Sequence, residues 1–384
     1  MSMGRCCNHD DVQAAEWAAQ PSLSIKGVYN SNLLLSTTVP ASVYGHWVSP
    51  GLTFSGSTEL LEISGKAAAD FIQYYGDQEV GITNLYFPLT VRYKGERDNL
   101  TLNGGLIRDN TLMGELLQTG AVLTFTQRDL WNVNPSWTHA LTEKLSTQVT
   151  YQFNDVTYEN GRRLGLFDYH FHTATVGGSY LVTEKDQVQM SGIYTTFSVP
   201  DALLTSSIYG AQLSATHMFT DTFSATASGG PRLITSDIDL PQGTISDHAT
   251  VWVANGSLER KFETYSITVD GGRDIFPSGF GVLLRTDRVG ATVTKELSET
   301  VTASLGGRVY FVEGVATQAT PRTIAPSRFL TVNPQLTWKV SDWWNVNLSY
   351  IYSRRDVDSS SVSADSNAVA LMLTYFPPKL SISR

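Results

Sequence analysis

The sequence predicts an all-β chain closed into a single transmembrane antiparallel up-and-down β-barrel of outer-membrane type. Three observations lead there. Apolar and polar residues alternate with period two in segment after segment, while helix-period patterns are nearly absent. The connections between segments alternate between tight and long. Aromatic residues gather near segment ends, as in Trp338, Trp343, Trp344, Phe219, Phe223, Phe262 and Tyr265. A soluble sandwich would share the alternation. Segments of ten to fourteen residues instead suit the roughly 9–11 that a tilted strand needs to cross a bilayer. Short turns on one rim, long loops on the other and aromatic girdles complete the pattern of such a barrel.

Composition agrees. The chain has 384 residues, enough for one large β architecture, and only 16% are charged, below the roughly 25% of soluble domains. There are 36 acidic and 27 basic residues, for a net charge of −9. No basic cluster points to a nucleic-acid partner. No apolar run is long enough for a membrane-spanning helix. The only cysteines are Cys6 and Cys7, which fits an exported protein and provides no zinc or haem motif, so no cofactor and no metal are expected.

At the N-terminus, Met1 to Asp11 lacks the apolar core of a signal peptide, yet Val12-Gln-Ala-Ala15 resembles the small-residue end of one. Residues 1–20 are therefore expected to be a leader remnant or disordered tail, 21–378 the barrel and 379–384 a C-terminal tail. Strands are expected near 22–30, 46–56, 60–74, 85–96, 99–109, 121–141, 144–157, 167–182, 186–198, 207–219, 222–234, 249–262, 264–274, 283–296, 299–312, 329–340, 343–355 and 367–377. That gives about 18; ambiguity over 36–46 and 77–84 leaves 16 open. In 344–353, Trp344, Val346, Leu348, Tyr350 and Tyr352 take one face and Asn345, Asn347, Ser349 and Ser353 the other. Tight connections are expected at 142–144, 183–186, 220–222, 263–264, 297–299 and 341–342, and long ones at 159–165, 200–206, 236–247, 276–279, 314–327 and 356–366. Every backbone donor and acceptor in hydrocarbon needs a partner, which only a closed barrel gives to strands. The polar face then looks inward, around a space wide enough for water.

Three strands carry a proline in mid-course: Val48-Ser-Pro-Gly-Leu-Thr-Phe54, Val133-Asn-Pro-Ser-Trp-Thr-His139 and Val332-Asn-Pro-Gln-Leu-Thr-Trp338. Pro50, Pro135 and Pro334 each precede a tight turn by seven residues and share parity with apolar neighbours, so their rings are expected to face lipid. Proline cannot donate to a ladder, so a bulge is expected at each. Pro231 is a fourth candidate.

No nucleophile motif emerges, and no enzymatic activity is expected. His170 and His172 share a strand face and could ligate a metal with Asp168, but such residues more often line a rim. The charges whose parity turns them inward are Lys26, Glu62, Lys66, Asp70, Arg92, Lys94, Arg232, Asp270 and Arg308. They are the expected pore lining, able to steer solutes or to pair with one another and stiffen the wall.

The sequence resembles the putative β-barrel porin 2 family and the outer-membrane barrels associated with PEP-CTERM, exosortase and exopolysaccharide loci. The resemblance rests on Ala15-Glu-Trp-Ala-Ala-Gln-Pro-Ser-Leu-Ser24, Asn30-Ser-Asn32, the V-x-P segments and the turn Leu141-Thr-Glu-Lys-Leu145. It departs after Val369–Phe376, where Pro-Pro-Lys-Leu-Ser-Ile-Ser-Arg384 replaces a terminal aromatic residue. The resemblance implies an outer-membrane channel, porin-like, for polar solutes or exopolysaccharide. The alternatives are a non-conducting scaffold barrel that docks a periplasmic or extracellular cytochrome, and a soluble β-rich adhesin. Expected partners are outer-membrane lipid, polysaccharide or small polar solutes, and either a second copy of the chain or a periplasmic protein.

Overall fold

A computed structural model describes residues 16–37, 39–77, 79–116, 125–315, 324–358 and 362–383. The chain forms β1 (Glu16–Asn30), β2 (Val43–Ser57), β3 (Leu61–Gly76), β4 (Val80–Lys94), β5 (Asp98–Asn110), β6 (Gln127–Ala140), β7 (Leu145–Tyr158), β8 (Tyr169–Leu181) and β9 (Asp186–Val199). It continues through β10 (Leu204–Thr220), β11 (Phe223–Leu240), β12 (Gly243–Lys261), β13 (Tyr265–Pro277) and β14 (Leu283–Glu296). The last strands are β15 (Val301–Gly314), β16 (Ser327–Lys339), β17 (Trp344–Val357), β18 (Val362–Tyr375) and a four-residue β19 (Leu380–Ser383). Each strand pairs antiparallel with its sequence neighbour, and β1 pairs with β18, so the sheet is a closed barrel of 18 strands. β19 extends the same seam, with Glu16–Ala19 opposite Ser383–Leu380. The first strand thus begins six residues before the expected start, and the C-terminal residues join the ladder.

The two rims differ as expected. One carries only turns of two to four residues, such as 221–222 and 340–343. The other carries the connections 31–42, 111–126, 159–168 and 315–326. Two expected long loops are instead mostly strand. The β11–β12 ladder continues to Leu240 opposite Gly243, and the β17–β18 ladder to Val357 opposite Val362. Part of the expected 314–327 loop, residues 316–323, lies outside the described residues.

The outer surface is an apolar belt, with Val176, Met190, Leu213, Trp252, Val289, Leu305, Leu348 and Leu371 all exposed. Stacked rings mark the short-turn edge: Phe219–Phe223 at 4.6 Å, Phe262–Tyr265 at 4.1 Å and Trp344–Tyr375 at 4.7 Å between centroids. Toward the long-loop rim the outward positions turn charged. Arg108 pairs with Asp129 at 2.6 Å, Arg354 with Asp356 at 2.9 Å, and Arg285 with Glu313. Charges on the lipid face at mid-bilayer cost about 2–4 kcal/mol each, so these pairs place the long-loop ends of the strands above the hydrocarbon.

The prolines interrupt the ladder without a bulge. Between β2 and β3, Val48 faces Phe71 and Gly51 faces Ala68, with the two pairs between them missing and the register unchanged. The same two-pair gap occurs at Pro135 (Val133 opposite Phe153, Ser136 opposite Thr150) and at Pro334 (Val332 opposite Tyr352, Gln335 opposite Ser349). One absent N–H accounts for each gap, because one donor supports two consecutive antiparallel pairs. The expected bulge is unnecessary: the backbone keeps its register and leaves a single carbonyl on the next strand without its ladder donor. Pro50 and Pro135 are exposed on the lipid-facing parity, and Pro334 shares that parity with the exposed Leu336 and Trp338. At Pro231 the replacement donor is visible. The Arg232 guanidinium donates from Nη1 to the Ala211 carbonyl at 3.0 Å, the group that Pro231 would otherwise have served.

Candidate functional site: the barrel lumen and its loop bridge

Strand parity sorts the inner wall into four sectors. β1–β4 present Lys26, Lys66 and Asp70 at mid-height and Glu62, Arg92 and Lys94 near the short-turn rim. β11–β15 present Arg232, Asp270, Asp274, Arg288 and Arg308. Six strands, β5–β10, separate the two groups on one side and three, β16–β18, on the other, so they stand on different arcs of the wall. Between them, β5–β10 below the long-loop half offer mainly hydroxyls and amides, among them Asn132, Asn134, Gln148, Gln152, Gln189 and Thr216. β16–β18 are similar, with Asn333, Gln335, Asn347 and Thr374.

All nine charges expected from the sequence lie on the inward parity. In the first sector, Lys94 and Arg92 both reach Glu62, at 2.5 and 3.5 Å. The Lys26 ammonium sits 3.8 Å from the centroid of the Trp47 ring, a stacking that favours a cation over an aromatic face. Among the described residues, Lys26 and Lys66 have no carboxylate within ion-pair distance. The second sector is a continuous network. Arg308 donates to Asp270 at 3.1 Å, Arg288 to Asp274 at 2.9 Å, Asn255 to Asp274 at 2.9 Å, and Arg232 to Gln212 at 2.6 Å. Asp274 and Arg288 were missed from the sequence, although Asp274 shares the parity of Asp270 and was available to the same argument. At mid-height three arginines oppose two aspartates in this sector, and two lysines oppose one aspartate in the first. Each therefore carries one net positive charge.

What occupies the long-loop half was not legible in the sequence. There the inward face is largely apolar and buried. Tyr158, Tyr169, Phe197, Leu204, Ile208 and Ile234 form one buried cluster with Leu166 of the β7–β8 connection. Leu35, Leu116, Val282, Tyr310, Val312 and Phe329 form a second, drawing on three connections. Loops folded into the barrel cover the wall and so remove its need to be polar. The β5–β6 connection makes the longest reach. Its π-helical turn Leu112–Leu116 leaves β5, and the Glu115 carboxylate accepts the Gly279 N–H at 3.2 Å from the β13–β14 connection, eight strands away. The segment is a bridge across the lumen. The expected strand 121–141 had absorbed its far end; β6 starts at Gln127, and residues 117–124 lie outside the described residues.

Under the bridge, Arg128 forms a bidentate pair with Asp109, both bonds at 2.9 Å and the side chains 4% and 8% exposed. Gly114 is required at this point, since a Cβ there would lie 2.0 Å from the guanidinium. Glu115, off the spanning strands, is 2% exposed. Burial pushes its carboxyl up to about 7, against the pull of Arg128 and the Gly279 N–H, with Asp109 adding to the rise.

The histidines lie elsewhere. His170 faces Asp155 at 3.6 Å and His172 meets the Tyr151 hydroxyl at 2.7 Å, both on the outward face, while Asp168 accepts the Tyr158 N–H at 2.8 Å. His170, His172 and Asp168 are therefore not brought together. Among the described residues no group of three potential metal ligands occurs.

A closed 18-strand barrel with an apolar belt, short turns on one rim and a loop folded into the lumen has the fold of an outer-membrane porin. Solved structures of that class are similar to it. OccAB1 of Acinetobacter baumannii aligns with a TM-score of 0.50 at 7% identity, over 95% of this chain and 97% of that one. The outer membrane protein opdK from Pseudomonas aeruginosa aligns at 0.48 and 12% identity, over 95% and 99%. OprD from Pseudomonas aeruginosa aligns at 0.47 and 11% identity, over 95% of each chain. At such identities the likeness is one of fold. No protein-family model matches the chain, and no curated protein does.

Proposed function

We propose that the chain is an outer-membrane channel that passes small polar solutes through its lumen. The observation that carries this reading is the segregation of side chains around a closed barrel: apolar residues outward, and hydroxyls, amides and charges inward. A non-conducting scaffold has no need of a wall that is polar on every strand at mid-height. Lys26, Glu62, Lys66, Asp70, Arg92, Lys94, Arg232, Asp270 and Arg308 are proposed as pore-lining, joined by Asp274 and Arg288. Because charges in each sector largely offset one another, the ion preference is expected to be small. Acidic loop-rim residues such as Asp237 and Asp239 act at a distance, and are screened beyond roughly 8–10 Å at physiological salt.

The finer resemblance, to the porin 2 and PEP-CTERM-associated barrels, belongs to the same proposal, with exopolysaccharide as the larger cargo. The loop bridge favours the smaller one, since a polymer would have to thread past the buried Glu115–Arg128–Asp109 cluster. Purified protein in a planar bilayer tests the proposal. Discrete conductance steps with a small reversal potential in a salt gradient are expected. A membrane that stays silent would favour the scaffold that docks a cytochrome.

A further inference from the structure

A recess of about 310 Å³ opens in the lumen wall where β1–β4 meet. It lies at two of the ladder breaks. Pro50 leaves the Ala69 carbonyl without its ladder donor on the β2 side. Pro88 does the same to Lys66 on the β4 side, where the ladder steps from Gly65–Leu89 to Ala68–Tyr86 with the two pairs between them missing. Lys66 and Pro50 are part of the lining, and Ala69 lies in the chain between the lining residues Ala68 and Asp70. Two small residues that face each other, Gly51 and Ala68, form its floor. Ser22, Ser24, Ser49, Lys66, Asp70 and Tyr86 surround it.

We propose that this recess is a binding site for a neutral polyhydroxylated solute of about one sugar ring. The inference rests on the channel reading and names the substrate class that the lumen would select. The chemistry is as follows. A buried or half-buried carbonyl that lacks its donor is an acceptor waiting for an O–H or N–H. Two such acceptors stand beside the Asp70 carboxylate. The lining also holds donors: the Ser22 and Ser49 hydroxyls and the Lys66 ammonium, while the Tyr86 phenol bonds Asp70 and the Ser24 hydroxyl bonds Thr374 at 2.9 Å. A sugar hydroxyl both donates and accepts, so adjacent hydroxyls on a ring can satisfy acceptors and donors that alternate along a wall. Lys66 and Asp70 cancel in charge within the lining, and the one net positive charge of the sector rests on Lys26, which stacks on Trp47 and is not part of the lining. Its volume sits at the lower end of ligand pockets, roughly 300–1,000 Å³, which suits a single ring.

The test uses the full chain in planar bilayers with glucose added to a potassium chloride bath. Glucose is expected to interrupt the wild-type current with saturable concentration dependence. Two variants probe the site. Pro50→Ala alters no lumen side chain, because the ring faces lipid, but returns an N–H to the Ala69 carbonyl. Losing one hydrogen bond to an uncharged acceptor should raise the half-blocking concentration by up to about tenfold, with the salt conductance unchanged. Ala68→Leu fills the floor and should abolish saturable block. Current loss that is linear in glucose and equal in all three proteins, as viscosity alone would give, overturns the proposal. So does saturable block by glycine in place of glucose, which would assign the recess to a zwitterion. If the barrel does not conduct, the channel reading fails. Calorimetric titration of the detergent-solubilised chain with glucose then decides the site separately: a binding heat that Ala68→Leu removes upholds the recess, and none in wild type refutes it.

Discussion

Replacing Arg128 with methionine keeps the stem of the side chain as far as Nε and removes the guanidinium, among the described residues the one cation paired with Asp109 under the bridge. The carboxylate left behind is 8% exposed, and Glu115 above it is 2% exposed. Removing one partner of a buried ion pair costs about 3–5 kcal/mol. That is more than a single loop contact such as Glu115–Gly279 returns, so the bridge should detach while the strand ladders hold. Acidity changes the outcome in a defined direction. The Glu115 carboxyl titrates at about 7 in the folded chain against an ordinary 4.5, so it holds its proton more tightly folded than unfolded. Its penalty is absent below the ordinary value, grows as pH rises between the two, and levels off above the folded value at roughly 3 kcal/mol. Without Arg128 the carboxyl is expected to stay neutral to still higher pH. The defect of Arg128→Met should therefore be slight at pH 5 and large at pH 8. Limited proteolysis and hydrogen exchange of the 111–126 connection in detergent provide the assay. Equal protection of that segment in wild type and variant at pH 8 would refute the idea that the ion pair anchors the bridge.

Three further outcomes are expected. Leu348→Arg sets a charge in the lipid belt and should cost about 2–4 kcal/mol, measured by urea unfolding in vesicles, whereas Asn347→Arg points into the lumen and should lose little beyond its 2.9 Å bond to Thr337; equal losses would invert the assignment of faces. Arg232→Met removes the donor to the Ala211 carbonyl and should destabilise by about 1–3 kcal/mol, while Arg232→Lys should recover part of that, and no difference between the two would deny the guanidinium its capping role. Asn32→Ala breaks a seam contact described below and should lower the melting temperature without altering conductance; an unchanged melting curve would count against it.

The fold was legible because lipid imposes period two on the outward face, and each of the 18 expected segments corresponds to a strand. Legibility failed where lipid ends. Asp237, Asp239, Arg354 and Asp356 lie in strands, but above the belt the outward face is wet and loops cover the inward one, so the polarity of the two faces changes and polar strand reads as loop. The inward charges followed from the same parity. The bridge did not, because Glu115 meets Gly279 across 164 positions of sequence and no local pattern encodes that encounter. Prolines misled for a related reason. The sequence says which donor is missing, but not that the guanidinium of the next residue can stand in for it, as Arg232 does for Pro231.

The Asn30-Ser-Asn32 triplet has a consequence for how such a chain comes together. Asn32 donates to the Asp365 carbonyl at 3.2 Å, Ser366 donates to the Asn30 side chain at 2.8 Å, and the Ser31 hydroxyl accepts the Asn367 N–H at 2.8 Å. At the other end, Gln20 reaches the Pro377 carbonyl at 2.5 Å and β19 lies along Glu16–Ala19. β1 is thus fastened by residues 333 or more positions later in the chain. Until those arrive, every precursor has two raw edges with unpaired backbone groups, and the loop-closure entropy of the whole chain falls due in a single late step. A nascent chain stalled before Asp365 should accordingly remain an open sheet that needs a chaperone or an insertion machine to shield both margins, however complete its central hairpins.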